Sequence, residues 1–182
     1  MEKARPVSLK EIRIRDNFWA KYRRLVREEI LKYQWCAMND QIEGAPKSHC
    51  IENFRIAAGE KQGEFYGAVF QDSDVAKWLE AVAYTLAEKP DKELKKLADS
   101  VIELIGRAQE PDGYFNTYFI LKEPGQRFRN LREGHELYTL GHMIEAAVAY
   151  KRATGEKRFL EIVQKMADLV ANTFGVEEGK RM

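Results

Sequence analysis

The stretches "LEAVAYTLAEKPDKE" (79–93) and "IEAAVAYKRATGEKR" (144–158) are two versions of one unit. Further along, "KLADSV" (96–101) is matched by "KMADLV" (165–170). The offset drifts from 65 to 69 residues, about one helical turn. Apolar residues recur at helical spacing through both copies. Val75, Leu79, Val82, Ala83 and Leu86 mark a first helix that Pro90 ends. Leu94, Leu97, Ala98, Val101, Ile105 and Ala108 mark a second, stopping at "PDG". A third starts near Glu136 and ends at Gly155. A fourth, from about Lys157 to Phe174, carries Phe159, Ile162, Val163, Met166 and Val170. Repeated helical hairpins bury their faces only by stacking on one another. The expected fold is therefore all-α, a solenoid or a closed α/α toroid.

Two segments precede the repeat. "VSLKEIRI" carries Val7, Leu9, Ile12 and Ile14 between basic residues, which predicts a short N-terminal β-strand, with residues 1–15 as a strand-like arm. Asp16 then caps an entry helix with Phe18, Tyr22, Leu25, Val26, Ile30 and Tyr33 on one face. From 39 to 70 the periodicity is broken by Gly44, Pro46, Gly59, Gly63 and Gly67, and this span reads as one long rim loop.

The connections inside each hairpin are tight ("EKPDK", "ATGEK"), whereas residues 110–134 between hairpins are long and rich in Gly, Pro and aromatics. In an up-down array, the helices starting near 73 and 136 begin at the same end. Asp72, Asp74, Tyr114, His135 and Glu136 then converge on one rim, where free helix N–H groups suit oxygen-rich ligands. "GHELYTLGH" (134–142) holds two of the three histidines. His135 lies on the rim and reads as functional, while His142, two turns in, reads as a packed interior residue. Asp72 and Asp74 are either a carboxylate pair of the kind that hydrolyses glycosides or, for Asp72 and Ser73, a helix cap, and the cap is the stronger reading. Tyr114 either covers the core edge or offers a sugar-stacking ring.

Lys+Arg total 30 against 29 Asp+Glu, a net charge of +1, which gives no basis for a nucleic-acid or membrane-surface partner. No apolar run approaches the ~20 residues of a membrane span, and the basic N-terminus lacks a signal-peptide core; the expected location is cytoplasmic. Cys36 and Cys50 match neither a CxxC pair nor a zinc-ligand pattern and read as reduced, half-buried thiols, although His49 stands beside Cys50.

"YQWCAMND", "GEFYGAVFQDSDVAKWLEAVAY", "IGRAQEPDGYFNTYF" and "HELYTLGHMIEAAVAY" resemble glycoside hydrolase family 127, the β-L-arabinofuranosidases, from about Val7 to the C-terminus. The resemblance implies an (α/α)6 barrel followed by β-sandwich domains, of which residues 1–182 would be the N-terminal part of the catalytic barrel. It implies a retaining hydrolase that releases L-arabinofuranose with a zinc-bound cysteine nucleophile and a glutamate acid/base. Those groups lie C-terminal of the matched region, so no catalytic residue or metal ligand is placed in this chain, and zinc is expected in the full-length enzyme. His135 matches the family's HE-x-Y histidine that lines the sugar pocket. Asp72, Asp74 and Tyr114 fall in matching motifs and are candidate substrate-binding residues.

The expected function is thus a truncated glycosidase, inactive alone, whose ligand is an L-arabinofuranose-containing saccharide. The alternatives are a carbohydrate-binding module and a structural or interaction fragment. With no hairpin following 157–174, the stripe of Phe159, Val163, Met166 and Val170 is expected to be open on its far side. That predicts self-association, or pairing with a missing C-terminal half, through the C-terminal hairpin.

Overall fold

The computed structural model describes residues 7–181. Residues 1–6 of the expected strand-like arm lie outside them. Helix α1 (Asn17–Leu25) is capped by Asp16, whose Oδ1 accepts from the Trp19 amide at 2.6 Å. It runs through a π-helical turn (Val26–Ile30) into α2 (Leu31–Met38). Then follow α3 (Cys50–Ala57), α4 (Asp72–Glu88), α5 (Lys92–Ala108), the short α6 (Thr117–Leu121), α7 (Glu136–Thr154) and α8 (Arg158–Thr173). Asp91 caps α5 by accepting from the Leu94 amide, and Gly155, at φ 88°, closes α7 in the left-handed conformation that a residue without Cβ adopts readily.

The four repeat helices form two parallel layers. α4 and α7 run side by side in step: the Lys77 ammonium sits over the Tyr138 ring near their starts, and Tyr84 and Ala87 share a cleft with Val148 and Arg152 near their ends. Ala76, Ala83, Ala146 and Ala147 are fully buried, small side chains that allow the two helices to approach closely. α5 and α8 form the second layer, joined by Arg158–Glu103 and by Gln109, whose Nε2 donates to the Ile162 carbonyl at 2.8 Å. Trp78 ties α4 back to α2 by donating to the Leu31 carbonyl at 3.0 Å. Gly113 (φ 94°) lets the "PDG" turn lie on α8, where a Cβ would stand 2.7 Å from the Lys165 carbonyl oxygen. This is the arc of an α/α barrel, as the repeat predicts.

Three expectations are corrected. First, no β-strand occurs among the described residues. Residues 7–15 hold a 3-10 turn (Leu9–Glu11) and otherwise extended chain. Leu9, Ile12 and Ile14 lie along a cleft of about 580 Å³ against α1 and α4, and no neighbouring strand offers a hydrogen-bond ladder. Second, the span 39–70 is not all loop. α3 buries Cys50, Ile51 and Phe54 within it. Third, the C-terminal stripe is not open. Phe159, Val163 and Met166 are each 1% exposed and Val170 is half-buried, because α8 turns that face onto α5 and α7 of its own chain. Such burial contributes about 1.5–3 kcal/mol per side chain. Exposed apolar surface gathers instead on the N-terminal segment and α1, including Val7, Leu9, Phe18 and Trp19. Among the described residues no helix is long and apolar enough to cross a membrane.

Candidate functional site at the helix-start rim

The rim is built on two buried carboxylates. Asp72 opens α4 but does not cap it; the N-cap is Gln71, with no side-chain cap bond. The Asp72 carboxylate instead accepts from the Thr117 amide at 2.7 Å and the Thr117 hydroxyl at 2.6 Å. Burial pushes its pKa up to about 6, while the two Thr117 bonds pull it back toward the ionised form. Ser73 is also buried, its Oγ 3.1 Å from the Lys77 ammonium one turn along the same helix, so in place of the expected Asp72–Ser73 cap Asp72 makes a tertiary contact to Thr117 and Ser73 a contact within α4.

Glu136, at the start of α7, plays the matching part. It accepts from the Tyr114 hydroxyl at 2.5 Å and from the Phe128 amide at 2.8 Å. Burial raises the Glu136 carboxyl, and the Tyr114 bond offsets part of that shift. Burial and the adjacent Glu136 drive the Tyr114 hydroxyl well above its ordinary range. Tyr114 is 0% exposed, with the Arg127 guanidinium 4.0 Å over its ring and Phe128 edge-on. It is therefore a buried strut and not an exposed stacking ring. Arg127 in turn pairs with Glu110 and Asp112.

Outside these locks the rim is open. The Asp74 side chain is 47% exposed, with Lys77 Nζ at 3.6 Å and Gln71 Nε2 at 3.3 Å. Asp72 and Asp74 therefore do not form a carboxylate pair, since one is enclosed and the other faces out. His135 is half-buried, in the left-handed conformation at φ 54°. Its Nδ1 lies 2.7 Å from the Glu133 carbonyl oxygen. A carbonyl only accepts, so Nδ1 carries the hydrogen, and Nε2 of the neutral ring keeps its lone pair for a ligand. Phe70 (41% exposed) lies against His135 at 5.3 Å between centroids, and Tyr138 (45% exposed) at 5.8 Å. His142 is not packed in the interior: its side chain keeps 25% exposure, edge-on to Tyr138 at 4.6 Å, with Nδ1 3.3 Å from Glu145.

The structure thus brings Asp74 and His135 to one open surface and withdraws Asp72 and Tyr114 beneath it. Lys77, Phe70 and Tyr138 join the open set without having been singled out from sequence. Their signal was present, since Lys77 and Tyr138 stand three residues beyond Asp74 and His135 on their helices.

Neither cysteine has the surroundings of a metal ligand. Cys50 is buried, accepts a hydrogen bond from Gln71 Nε2 at 3.0 Å, and its thiol is pushed up by burial, away from the thiolate that binds metal. Cys36 is a second free thiol, half-buried. Among the described residues no three His, Cys, Asp or Glu side chains gather closely enough to hold a metal ion.

Comparisons with known proteins bear on this geometry. The profile of the β-L-arabinofuranosidase, GH127 catalytic domain, matches residues 11–182. The non-reducing end β-L-arabinofuranosidase of Bifidobacterium longum subsp. longum is 45% identical over 185 residues, covering 93% of this chain and 28% of that protein. A β-L-arabinofuranosidase crystal structure from Geobacillus stearothermophilus superposes with a TM-score of 0.92 at 64% identity, covering 93% of this chain and 27% of its own. A second β-arabinofuranosidase structure gives a TM-score of 0.86 at 34% identity, covering 97% of this chain and 28% of its own. The chain therefore spans less than a third of the length of these relatives.

Proposed function

Because the chain belongs to glycoside hydrolase family 127, we propose that it forms the sugar-recognising rim of a glycosidase that cleaves terminal β-L-arabinofuranosyl linkages. The observation that carries this reading is the open cluster at the starts of α4 and α7, set within a family match covering residues 11–182. His135 Nε2 accepts from a sugar hydroxyl. Asp74 accepts from another, and Lys77 donates to a sugar oxygen. Phe70 and Tyr138 flank the ring with apolar surface, so the pocket combines a few directed polar groups with aromatic walls. Asp72 and Tyr114 act on the sugar only through the backbone they hold.

Hydrolysis needs groups these residues do not supply. The zinc expected of the full-length enzyme would bind a cysteine thiolate, and the two thiols here do not fit it: one is buried and hydrogen-bonded to Gln71, and no further ligands gather near either. This part of the protein therefore binds and orients the sugar, and bond cleavage rests on residues outside it. A cytoplasmic location belongs to the same proposal, and cell fractionation tests it.

The chain's partner surface is the exposed N-terminal face rather than the C-terminal hairpin. Trp19 and Phe18 are 58% and 59% exposed; Trp19 lines a cleft of about 580 Å³ against α4, and Val7 and Leu9 line one of about 760 Å³ between α4 and α7. Apolar surface on that scale marks an interface, either with a second copy or with further polypeptide of the enzyme. Sedimentation of Trp19→Ser against wild type tests it: association that is weakened supports this face, and association that is unchanged excludes it.

The sugar reading is tested by NMR titration with methyl β-L-arabinofuranoside. Saturable shifts of the His135 and Tyr138 rings are expected, lost in His135→Ala. Turnover by the isolated chain with stoichiometric zinc would overturn the division of labour, and shifts that survive His135→Ala would overturn the site.

A further inference from the structure

Phe128, whose amide donates to Glu136, is held at φ 58°, a left-handed conformation disfavoured in a residue with a Cβ. A backbone of this kind persists only where its surroundings over-determine it. Those surroundings come from two sides. Within the rim, Glu136 Oε2 accepts from the Phe128 amide at 2.8 Å, and Tyr114 meets the Phe128 ring edge-on at 5.5 Å. From beyond α8, Arg181 Nη1 donates to the Phe128 carbonyl at 3.2 Å, and Phe174 meets the other side of the contact at 5.5 Å between centroids.

The segment 174–181 reaches Phe128 because α8 bends it back. A helix ends with carbonyls that have no partner in the next turn. Here the Lys180 ammonium donates to the Ala171 carbonyl at 2.9 Å, and the Arg181 amide donates to the Thr173 carbonyl at 2.8 Å. The Gly175 amide donates to the Arg181 carbonyl at 2.9 Å, which closes a bridge between Phe174 and Arg181. Glu177 pairs with Lys180 at 3.3 Å across the turn, and Gly179, at φ 86°, takes its left-handed position. Cations beside the last carbonyls of a helix also complement its dipole. The bend is therefore set by α8, and it delivers Phe174 and Arg181 to one residue of the connection 110–134.

Phe128 passes this hold to the rim. Burial pushes the Glu136 carboxyl up, while the Tyr114 and Phe128 bonds and the charges of Arg127 and Arg181 favour its ionised, accepting form. Glu136 is the chain neighbour of His135. A single line of contacts thus runs from Arg181 through Phe128 and Glu136 to the imidazole. The Arg181 side chain itself lies at the surface, away from the packed faces of α8.

We propose that residues 174–181 form a strap whose seating sets the rim, with Arg181 as a positioning residue that acts on His135 through Phe128 and Glu136. Seating of the strap and ligand binding are then linked, and each favours the other. The role of Arg181 rests on the assignment of His135 to the sugar site.

Hydrogen exchange and NMR titration of the whole chain with methyl β-L-arabinofuranoside test this. In Arg181→Ala the Phe128 amide exchanges about tenfold faster, while amides in the middle of α4 keep their wild-type rates. Sugar affinity falls about fivefold, the low end of coupling between linked sites. Arg181→Lys, which keeps a charge and a donor, restores both. By reciprocity, saturating sugar slows exchange of the Gly175 amide in wild type about fivefold. A wild-type rate at Phe128 in Arg181→Ala overturns the strap and leaves the His135 site standing. Equal acceleration at Phe128 and in α4 also overturns it, since Arg181 would then support the fold as a whole. Faster exchange at Phe128 with sugar affinity unchanged, or a Gly175 rate indifferent to sugar, overturns the positioning role. Failure of wild type to bind the sugar overturns the His135 assignment, and the positioning role with it.

Discussion

Asp72 and Asp74 stand two residues apart on one helix start, and Glu136 and His135 are neighbours on another, yet each pair is divided in use. Asp72 and Glu136 turn inward and are saturated by Thr117, Tyr114 and Phe128. Asp74 and His135 turn outward and retain free acceptor capacity. The inner members fasten the connection 110–134 onto the starts of α4 and α7, and the outer members use the surface so fixed. A buried carboxylate is costly unless its acceptor sites are filled, so each inner residue is committed to structure by the donors around it. Exposure, not residue type, separates the open rim groups from the struts.

Changes on the buried side should act on stability. Met166→Glu places an unpaired charge among the side chains of α8, α5 and α7, and a loss of about 4 kcal/mol or more is expected in urea unfolding. A folded variant with altered self-association would instead restore the C-terminal hairpin as an interface. Glu136→Ala strands the Tyr114 hydroxyl and the Phe128 amide without acceptors, at about 3 kcal/mol. Equal stability of mutant and wild type would mean that the lock carries no weight.

Asp72→Asn sharpens the comparison through pH. The Asp72 carboxyl rises from 3.8 to about 6 on folding, so the folded chain holds the proton more tightly than the unfolded one. Its contribution is full below pH 3.8 and is lost as pH rises through about 6, roughly 3 kcal/mol across the window. The Asn variant should lack this component of the slope in urea melts between pH 4 and 7. Parallel curves for the two proteins would count against a buried, shifted carboxyl.

The smallest stability effect belongs to the open side. His135→Gly relieves a left-handed backbone and should stabilise the chain by up to about 1 kcal/mol while abolishing the methyl β-L-arabinofuranoside shifts. A gain in stability with sugar binding intact would remove His135 from the site.

The hairpins were legible because their apolar spacing recurs twice, and the shared rim followed from the parity of an up-down array. What failed to show was direction. A one-residue step along a helix start separates Glu136 from His135, and periodicity alone does not say which of two polar neighbours will find donors in a distant loop. Asp72 read as a cap because its partner, Thr117, lies 45 residues away. α3 escaped notice because it is eight residues long and is preceded by His49 in a left-handed conformation, with no Ser, Thr or Asp cap. The alternating Val7–Ile14 segment carried a strand pattern, but a ladder requires a second strand. The apolar stripe of α8 was legible as a stripe, and only the packing of α5 and α7 showed that its own chain already covers it.

The division between locked and open groups is testable at two backbone amides. Thr117 and Phe128 donate to Asp72 and Glu136 from the connection between hairpins, Thr117 at the first turn of the short α6 and Phe128 in loop. Native-state hydrogen exchange should find both amides as protected as those in the middle of α4, opening only with global unfolding. Protection at the level of surrounding loop amides would show that the carboxylates do not hold the rim, and the distinction between struts and open rim residues would fall with it.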